Sequence, residues 1–274
     1  MTQLIRDIPI YYEEYGKGKP VLCIHGYWVD HRLMSGCLES VFAEIQGYRR
    51  IYLDLPGMGK TPSAKWIRNS DNMLEILTEF IDAVIPGENY LVAGESYGGY
   101  LTLGLIHNMR NRIDGVLMIC PQLKSWVAID REKLPEKQLL WKSEDIMPME
   151  DEPEFQAFLE YAVIATPVIY DRYKTNILSG IAISDKDFLT NHFSSDYNSG
   201  IADDLERLEF DRPACILTGR QDHAAGYLDA FEILSRFPRA TFAVLDCAGH
   251  NLQDDNEPLF DQHVKDWLWR VGMK

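Results

Sequence analysis

Little in this sequence points to a protein stapled by disulfides, built on a metal or held in a membrane. The five cysteines (Cys23, Cys37, Cys120, Cys215 and Cys247) are odd in number, widely spaced and without a C-x-x-C pair. Zinc-ribbon and thioredoxin-like sites are therefore not signalled. Three of the five lie in apolar runs (V-L-C-I, L-M-I-C, A-C-I-L), which reads as reduced thiols packed in a core. No two histidines have metal-ligand spacing, so neither metal nor cofactor is expected. No apolar run approaches the length of a membrane span. The opening M-T-Q-L-I-R-D-I-P-I carries charges early and no apolar h-region, unlike a signal peptide. Positive charge is scarce: 27 Lys and Arg stand against 42 Asp and Glu, a net charge of −15. That balance disfavours nucleic acid and anionic membrane as partners, and its plain reading is solubility. A soluble protein of a reducing, cytoplasmic setting is expected, with monomer and homodimer both open.

What is present is an α/β rhythm. The chain of 274 residues is 46% hydrophobic, enough for one large domain with an insertion. Strands are expected at Ile8–Glu13, Val21–His25, Arg50–Asp54, Tyr90–Ala93, Gly115–Cys120, Ala214–Thr218 and Thr241–Leu245. Most are four to six residues long, rich in Val, Ile and Leu, and bounded by Gly or Pro. This fits strands buried on both faces of a mostly parallel sheet. Amphipathic stretches lie between them. Asp71–Ile85 puts Met73, Leu77, Phe80, Ile81 and Val84 on one face and stops at Pro86-Gly87. Gly98–Met109 and Leu259–Leu268 also read as helices. The rhythm breaks between residues 122 and 205, a stretch rich in aromatics and acids with no clear buried strand. It reads as a mostly helical insertion over the sheet. The core is then 1–121 with 206–274.

The residues that carry chemistry centre on V-A-G-E-S-Y-G-G, residues 92–99. Chance alone puts G-x-S-x-G in roughly one chain in ten of this length, so context decides. N-Y-L-V-A before it reads as a buried strand, and G-Y-L-T-L-G-L-I-H-N-M after it as a helix. Strand, sharp turn and helix is the setting of a nucleophile elbow. Gly94 and Gly98 must be small because the flanking backbones nearly touch. Gly99 and Gly104 are expected to let the helix pack closely on the sheet. A serine nucleophile needs a base, and the base an orienting acid. Of seven histidines, only His25, His223 and His250 sit at strand ends on the edge where Ser96 emerges. Ser96, Asp222 and His250 each follow their own strand, in that order.

At this point the chain resembles the α/β-hydrolase family along essentially its full length. H-G-Y-W at 25–28 looks like the family's oxyanion loop, and D-L-P-G-M-G-K-T at 54–61 like its D-x-x-G-x-G-x-[ST] turn. G-E-S-Y-G-G looks like the elbow, and G-R-Q-D at 219–222 and A-G-H at 248–250 like the acid and base signatures. The resemblance implies Ser96 as nucleophile, His250 as base and Asp222 as acid. It also implies an oxyanion hole of the Tyr27 and Tyr97 backbone N–H groups, and residues 122–205 as a cap. Asp246 is a weaker competitor for the acid. Gly26, Trp28, Trp126 and Trp141 are expected to line the substrate pocket, with Tyr27 and Tyr97.

Other motifs weigh less. A phosphate loop ending in M-G-K-T would need glycine where Asp54 stands, and a dinucleotide fingerprint would need it at Pro62. His25 reads as a strand end that hydrogen-bonds the loop, and Glu95 and His223 as structural neighbours of the site. Because the fold hosts many reactions, the serine at the elbow narrows the choice. Aspartate there would suit dehalogenases and epoxide hydrolases. The default is hydrolysis of a small or medium, mostly uncharged carboxylic ester through an acyl-enzyme. The alternatives are a C–C bond hydrolase, although H-G-Y-W-V-D lacks that class's glycine-rich loop, and a receptor that binds with little turnover.

Overall fold

The computed structural model of the chain describes residues 1–124, 131–149, 152–193, 199–204 and 207–273. The apolar runs form an eight-stranded sheet. Its strands are β1 (Thr2–Ile5), β2 (Ile8–Gly16), β3 (Lys19–Ile24), β4 (Tyr48–Leu53), β5 (Tyr90–Glu95), β6 (Ile113–Ile119), β9 (Ala214–Gly219) and β10 (Ala240–Leu245). A separate pair, β7 (Trp141–Lys142) and β8 (Ile164–Ala165), lies in the insertion. The main sheet runs β1-β2-β4-β3-β5-β6-β9-β10. Only the β1–β2 and β2–β4 pairings are antiparallel. All seven expected strands are present, extended by one to three residues at several ends. The edge strand β1, mostly exposed, is an addition.

Helices cover both faces because successive side chains of a strand point to opposite sides. Leu22 and Ile24 face α2 (Ser70–Val84) and α3 (Tyr97–Met109), in a cluster that includes Leu74, Leu77, Phe80 and Leu101. Val21 and Cys23 face α1 (Arg32–Glu44) and, with Leu117 and Leu217, α9 (Glu257–Gly272). Phe260, Val264, Trp267 and Leu268 of α9 are all buried there. Each contributes about 1.5–3 kcal/mol on burial, and this stripe fixes the helix to the sheet. Asn69 starts α2 by accepting the Asn72 N–H at 3.1 Å. Among the described residues, no helix is long and apolar enough to cross a membrane.

Between β6 and β9 the chain leaves the sheet. Its described residues include α4 (Phe155–Tyr161), α5 (Pro167–Tyr173) and α6 (Ser179–Ile183), with a π-turn at Lys174–Leu178 between the last two. Phe155, Phe158, Tyr170 and Tyr173 form their own cluster, packed on Val29 and Leu33 of the core. This explains the aromatic richness: the insertion has no sheet to pack on and builds a small core from rings. The two-residue strands β7 and β8 add a short non-helical pair to the insertion expected to be mostly helical. Short helices α7 (Leu228–Glu232) and α8 (Leu252–Asp255) complete the fold.

Candidate active site

β5 delivers Ser96 to the edge of the sheet and α3 carries the chain away. Ser96 has φ +50° and ψ −111°, a conformation that L side chains rarely adopt. The turn is held by its own backbone: Ser96 N–H donates to Ile119 at 2.9 Å, and Ser96 O accepts from Tyr100 and Gln122, both at 3.1 Å. Glycine is required on both sides. A Cβ at Gly98 would overlap the Ile24 carbonyl oxygen and stand 2.9 Å from that of His25, and one at Gly94 would lie 2.5 Å from the Gly98 carbonyl carbon. Gly99 abuts Pro121, just past β6. Gly104 departs from expectation, because a Cβ there would meet Leu74 of α2 rather than the sheet. Trp28, Cys120 and Cys247 also have positive φ. Each follows the C-terminal end of a strand, on the sheet edge that carries Ser96, whereas Arg6, also at positive φ, lies in the β1–β2 turn.

Three side chains from three loops meet there. His250 Nε2 lies 3.0 Å from Ser96 Oγ, and His250 Nδ1 lies 3.1 and 3.2 Å from the two oxygens of Asp222. Asp222 is fully buried, and its Oδ1 accepts from the N–H groups of Ala224 (2.9 Å) and Ala225 (3.0 Å). Burial alone would raise this carboxyl. The His250 charge and hydrogen bond and the two amides outweigh it and hold Asp222 below the usual range. For His250, burial opposes the cation, but Asp222 and then Glu95 push the imidazole up to about 9. Asp246, the competing acid, is exposed and takes the Gln221 amide at 2.9 Å instead.

The loops that carry Asp222 and His250 are tied together by Gln221, only a spacer within G-R-Q-D, and by Asp255, which lies in no motif. Gln221 N–H donates to Ala248 O at 2.9 Å, and Gln221 Oε1 accepts the Ala248 N–H at 3.1 Å. Asp255 accepts the Gly249 N–H at 2.8 Å and reaches the Ile164 N–H of the insertion at 3.4 Å. A Cβ at Gly219 would stand 2.5 Å from Ala248 O, so the two loops touch backbone to backbone. Spacing could not have found Gln221 or Asp255, since each acts through main-chain atoms of another loop.

The H-G-Y-W loop lies against Ser96 from the other side. A Cβ on Gly26 would be 3.3 Å from Ser96 Cβ and would overlap a Glu95 oxygen. Tyr97 opens α3, so its N–H stands at a helix start, where free donors and the dipole favour negative charge. His25 is buried and structural in its contacts: it reaches Gly26 O at 2.6 Å and accepts the Leu55 N–H at 3.0 Å. His223 stacks on Tyr161 instead of approaching Ser96. The D-L-P-G-M-G-K-T turn is anchored by Asp54, which accepts the His31 and Lys60 amides at 2.9 and 2.8 Å.

A cavity of about 450 Å³ opens over Ser96. Gly26, Tyr27 and Trp28 form one wall, as expected, and Tyr161, Tyr173, Ile177 and Ile181 of the insertion form the facing one. Two expectations need correction. Trp141 lies on β7, is 53% exposed and does not line the cavity, because its strand sits on the outer side of the insertion. The Tyr97 ring is fully buried behind the wall, its hydroxyl on Ser70 at 2.9 Å. Trp126 lies outside the described residues. Glu95, Gln122, His250 and Asn251 are polar groups facing the cavity. A second cavity, about 530 Å³, lies at the opposite edge near the start of β6, far from Ser96. Its Arg112 is already paired with Asp82.

Among the described residues, two groups of side chains could reach a common metal ion: Cys120, Asp222 and His250, and Asp30, His31 and Asp54. In the first, Asp222 is engaged with His250 and the Ala224 and Ala225 amides, His250 also with Ser96, and the Cys120 thiol donates to Gly249 O at 3.4 Å. In the second, His31 Nδ1 is 2.7 Å from Asp54 and Arg32 pairs with Asp30. Hydrogen-bond partners within the protein already engage these ligand atoms.

Comparison with known proteins bears on the fold and the family. The profile described as "Alpha/beta hydrolase family" matches residues 21–262. A solved alpha/beta superfamily hydrolase from Oenococcus oeni PSU-1 is 29% identical, with TM-score 0.87 and 99% of each chain covered. A pimeloyl-[acyl-carrier protein] methyl ester esterase of Legionella pneumophila (strain Corby) is 29% identical over 90 residues, 33% of each chain. A 2-hydroxy-6-oxo-6-(2'-aminophenyl)hexa-2,4-dienoic acid hydrolase of Metapseudomonas resinovorans is 31% identical over 94 residues, 34% of this chain and 32% of that one. The matched stretch thus spans about a third of the length of these two curated relatives.

Proposed function

Since the chain belongs to the alpha/beta hydrolase family, we propose that it is a serine hydrolase cleaving a small or medium, mostly uncharged carboxylic ester. The observation that carries this reading is the line Ser96 Oγ, His250 Nε2, His250 Nδ1, Asp222, with contacts of 3.0 and 3.1 Å. Ser96 attacks the ester carbonyl while His250 Nε2 takes its proton, and buried Asp222 stabilises the imidazolium that forms. The carbonyl oxygen becomes an oxyanion held by the Tyr27 and Tyr97 N–H groups. As the C–O bond breaks, His250 gives its proton to the leaving alcohol. Water then attacks the acyl-Ser96, His250 takes the water's proton, and Ser96 leaves as the alcohol with that proton restored.

Residues 122–205 act as the cap. Their rings and aliphatic chains make the cavity mostly apolar, which favours an uncharged acyl group. The volume suits a short to medium chain. The test is hydrolysis of p-nitrophenyl esters from acetate to octanoate by wild type and Ser96→Ala. Turnover with a chain-length optimum, lost in the variant, is expected. Equal rates in both proteins would refute the reading. The local similarity to a dienoic acid hydrolase favours one second reading, cleavage of a C–C bond beside a ketone. Consumption of a coloured dienoate without ester turnover would select it.

A further inference from the structure

Glu95 is the last residue of β5 and is 3% exposed. Its carboxyl faces the cavity that holds Ser96. Oε1 lies 3.6 Å from His250 Nε2, the nitrogen that Ser96 Oγ approaches at 3.0 Å. Oε2 fills the space where a Gly26 side chain would stand. Among the described residues, no hydrogen-bond donor reaches this carboxyl. A buried carboxylate without donors is costly, so the group stays ionised only beside a cation. Among the described residues, the imidazole of His250 is the one cation that can form against it.

The other groups around it offer no substitute. Asp222 stands behind the imidazole and is acidic. Cys120 beyond β6 and Cys37 of α1 are buried thiols whose pKa values burial raises. His25 is turned to Leu55, the Tyr27 hydroxyl donates to Leu189 O, and the insertion presents the phenols of Tyr161 and Tyr173.

We propose that Glu95 is a positioning residue for the proton of His250. As a carboxylate it pairs with the imidazolium on the Nε2 side, in competition with Ser96. The base becomes free for Ser96 only when the pair gives up that proton to solvent. The acid limb of activity then lies higher than Asp222 and His250 alone would set it. Burial, with Asp222 nearby, outweighs the pull of His250 and raises the Glu95 carboxyl to about 8, so the ion pair forms only above that range, while Glu95 in turn adds to the basicity of His250, pushed up to about 9. This inference rests on the role given to His250 above.

The test is the pH dependence of p-nitrophenyl butyrate acylation in wild type and Glu95→Gln. It is paired with an NMR titration of the His250 ring in both proteins, which needs no substrate. Loss of a charge within about 4–6 Å shifts a partner by about one to three pH units, so the Gln variant's limb and ring titration should move down by at least about one unit. Glu95→Asp, with a shorter carboxylate, should fall between. A ring titration unchanged in the Gln variant would overturn the proposal. If the Gln variant does not fold, an Asp titration equal to wild type would overturn it. A wild type that acylates no ester refutes the ester reading, and the ring titration still decides the role of Glu95.

Discussion

Replacing Asp222 with Asn changes one atom of the site and should disable it while sparing the fold. Oδ1 of Asp222 already accepts from Ala224 and Ala225 N–H, at 2.9 and 3.0 Å. An asparagine keeps its oxygen there, which turns its NH2 toward His250 Nδ1, where an oxygen now stands at 3.1 Å. Nδ1 must then accept, so the ring proton moves to Nε2. Nε2–H donates to Ser96 Oγ and cannot take its proton. The loss is both of the base and of the anion that stabilises its cation. A wrong tautomer of this kind costs about 10⁴ in rate, or about 5.5 kcal/mol of barrier. The assay is kcat/KM for p-nitrophenyl butyrate at pH 8, with the thermal transition as a control for folding. Asp246→Asn, changed in parallel at an exposed position, should stay within about threefold of wild type. An Asp222→Asn enzyme within tenfold of wild type would show that Asp222 is not the orienting acid.

Other expectations follow from packing and exposure. Gly98→Ala places a Cβ against the Ile24 and His25 carbonyls, main-chain atoms that cannot rotate away. Overpacking of about 3 kcal/mol should lower Tm by about 5 °C or more, and an unchanged Tm would mean that the elbow is looser than described. Cys247 is exposed and the other four cysteines are buried. A thiol reagent such as DTNB should therefore label one cysteine rapidly in the native protein and five after unfolding. A second fast thiol would contradict the burial of Cys23, Cys37, Cys120 and Cys215.

The strands were legible because a strand buried on both faces leaves an uninterrupted apolar run, as in Val21–Ile24 and Ala214–Leu217. The elbow was legible because its glycines answer backbone contacts that no other residue allows. Helix α1 was overlooked although Leu33, Met34, Cys37, Leu38, Val41 and Phe42 repeat at helical spacing, because its start is unmarked: His31 provides no side-chain cap and the first turn has no acid. Edge strand β1 is mostly exposed and gains its order from pairing with β2. Trp141 misled because an aromatic in an insertion can pack on any surface, and only the path of β7 puts this one outside. Glu95 carries no motif beyond its place beside Ser96. Its importance comes from a distance to His250 and from an absence of donors, and neither is written in spacing.

Everything proposed for this site turns on acylation of Ser96. The most direct measurement combines rapid-mixing release of p-nitrophenol with mass spectrometry of the quenched protein. A burst near one equivalent per chain is expected, with the acyl mass on the peptide that contains Ser96. No burst and no adduct in a folded protein that still hydrolyses the ester, or an adduct on another residue, would contradict it.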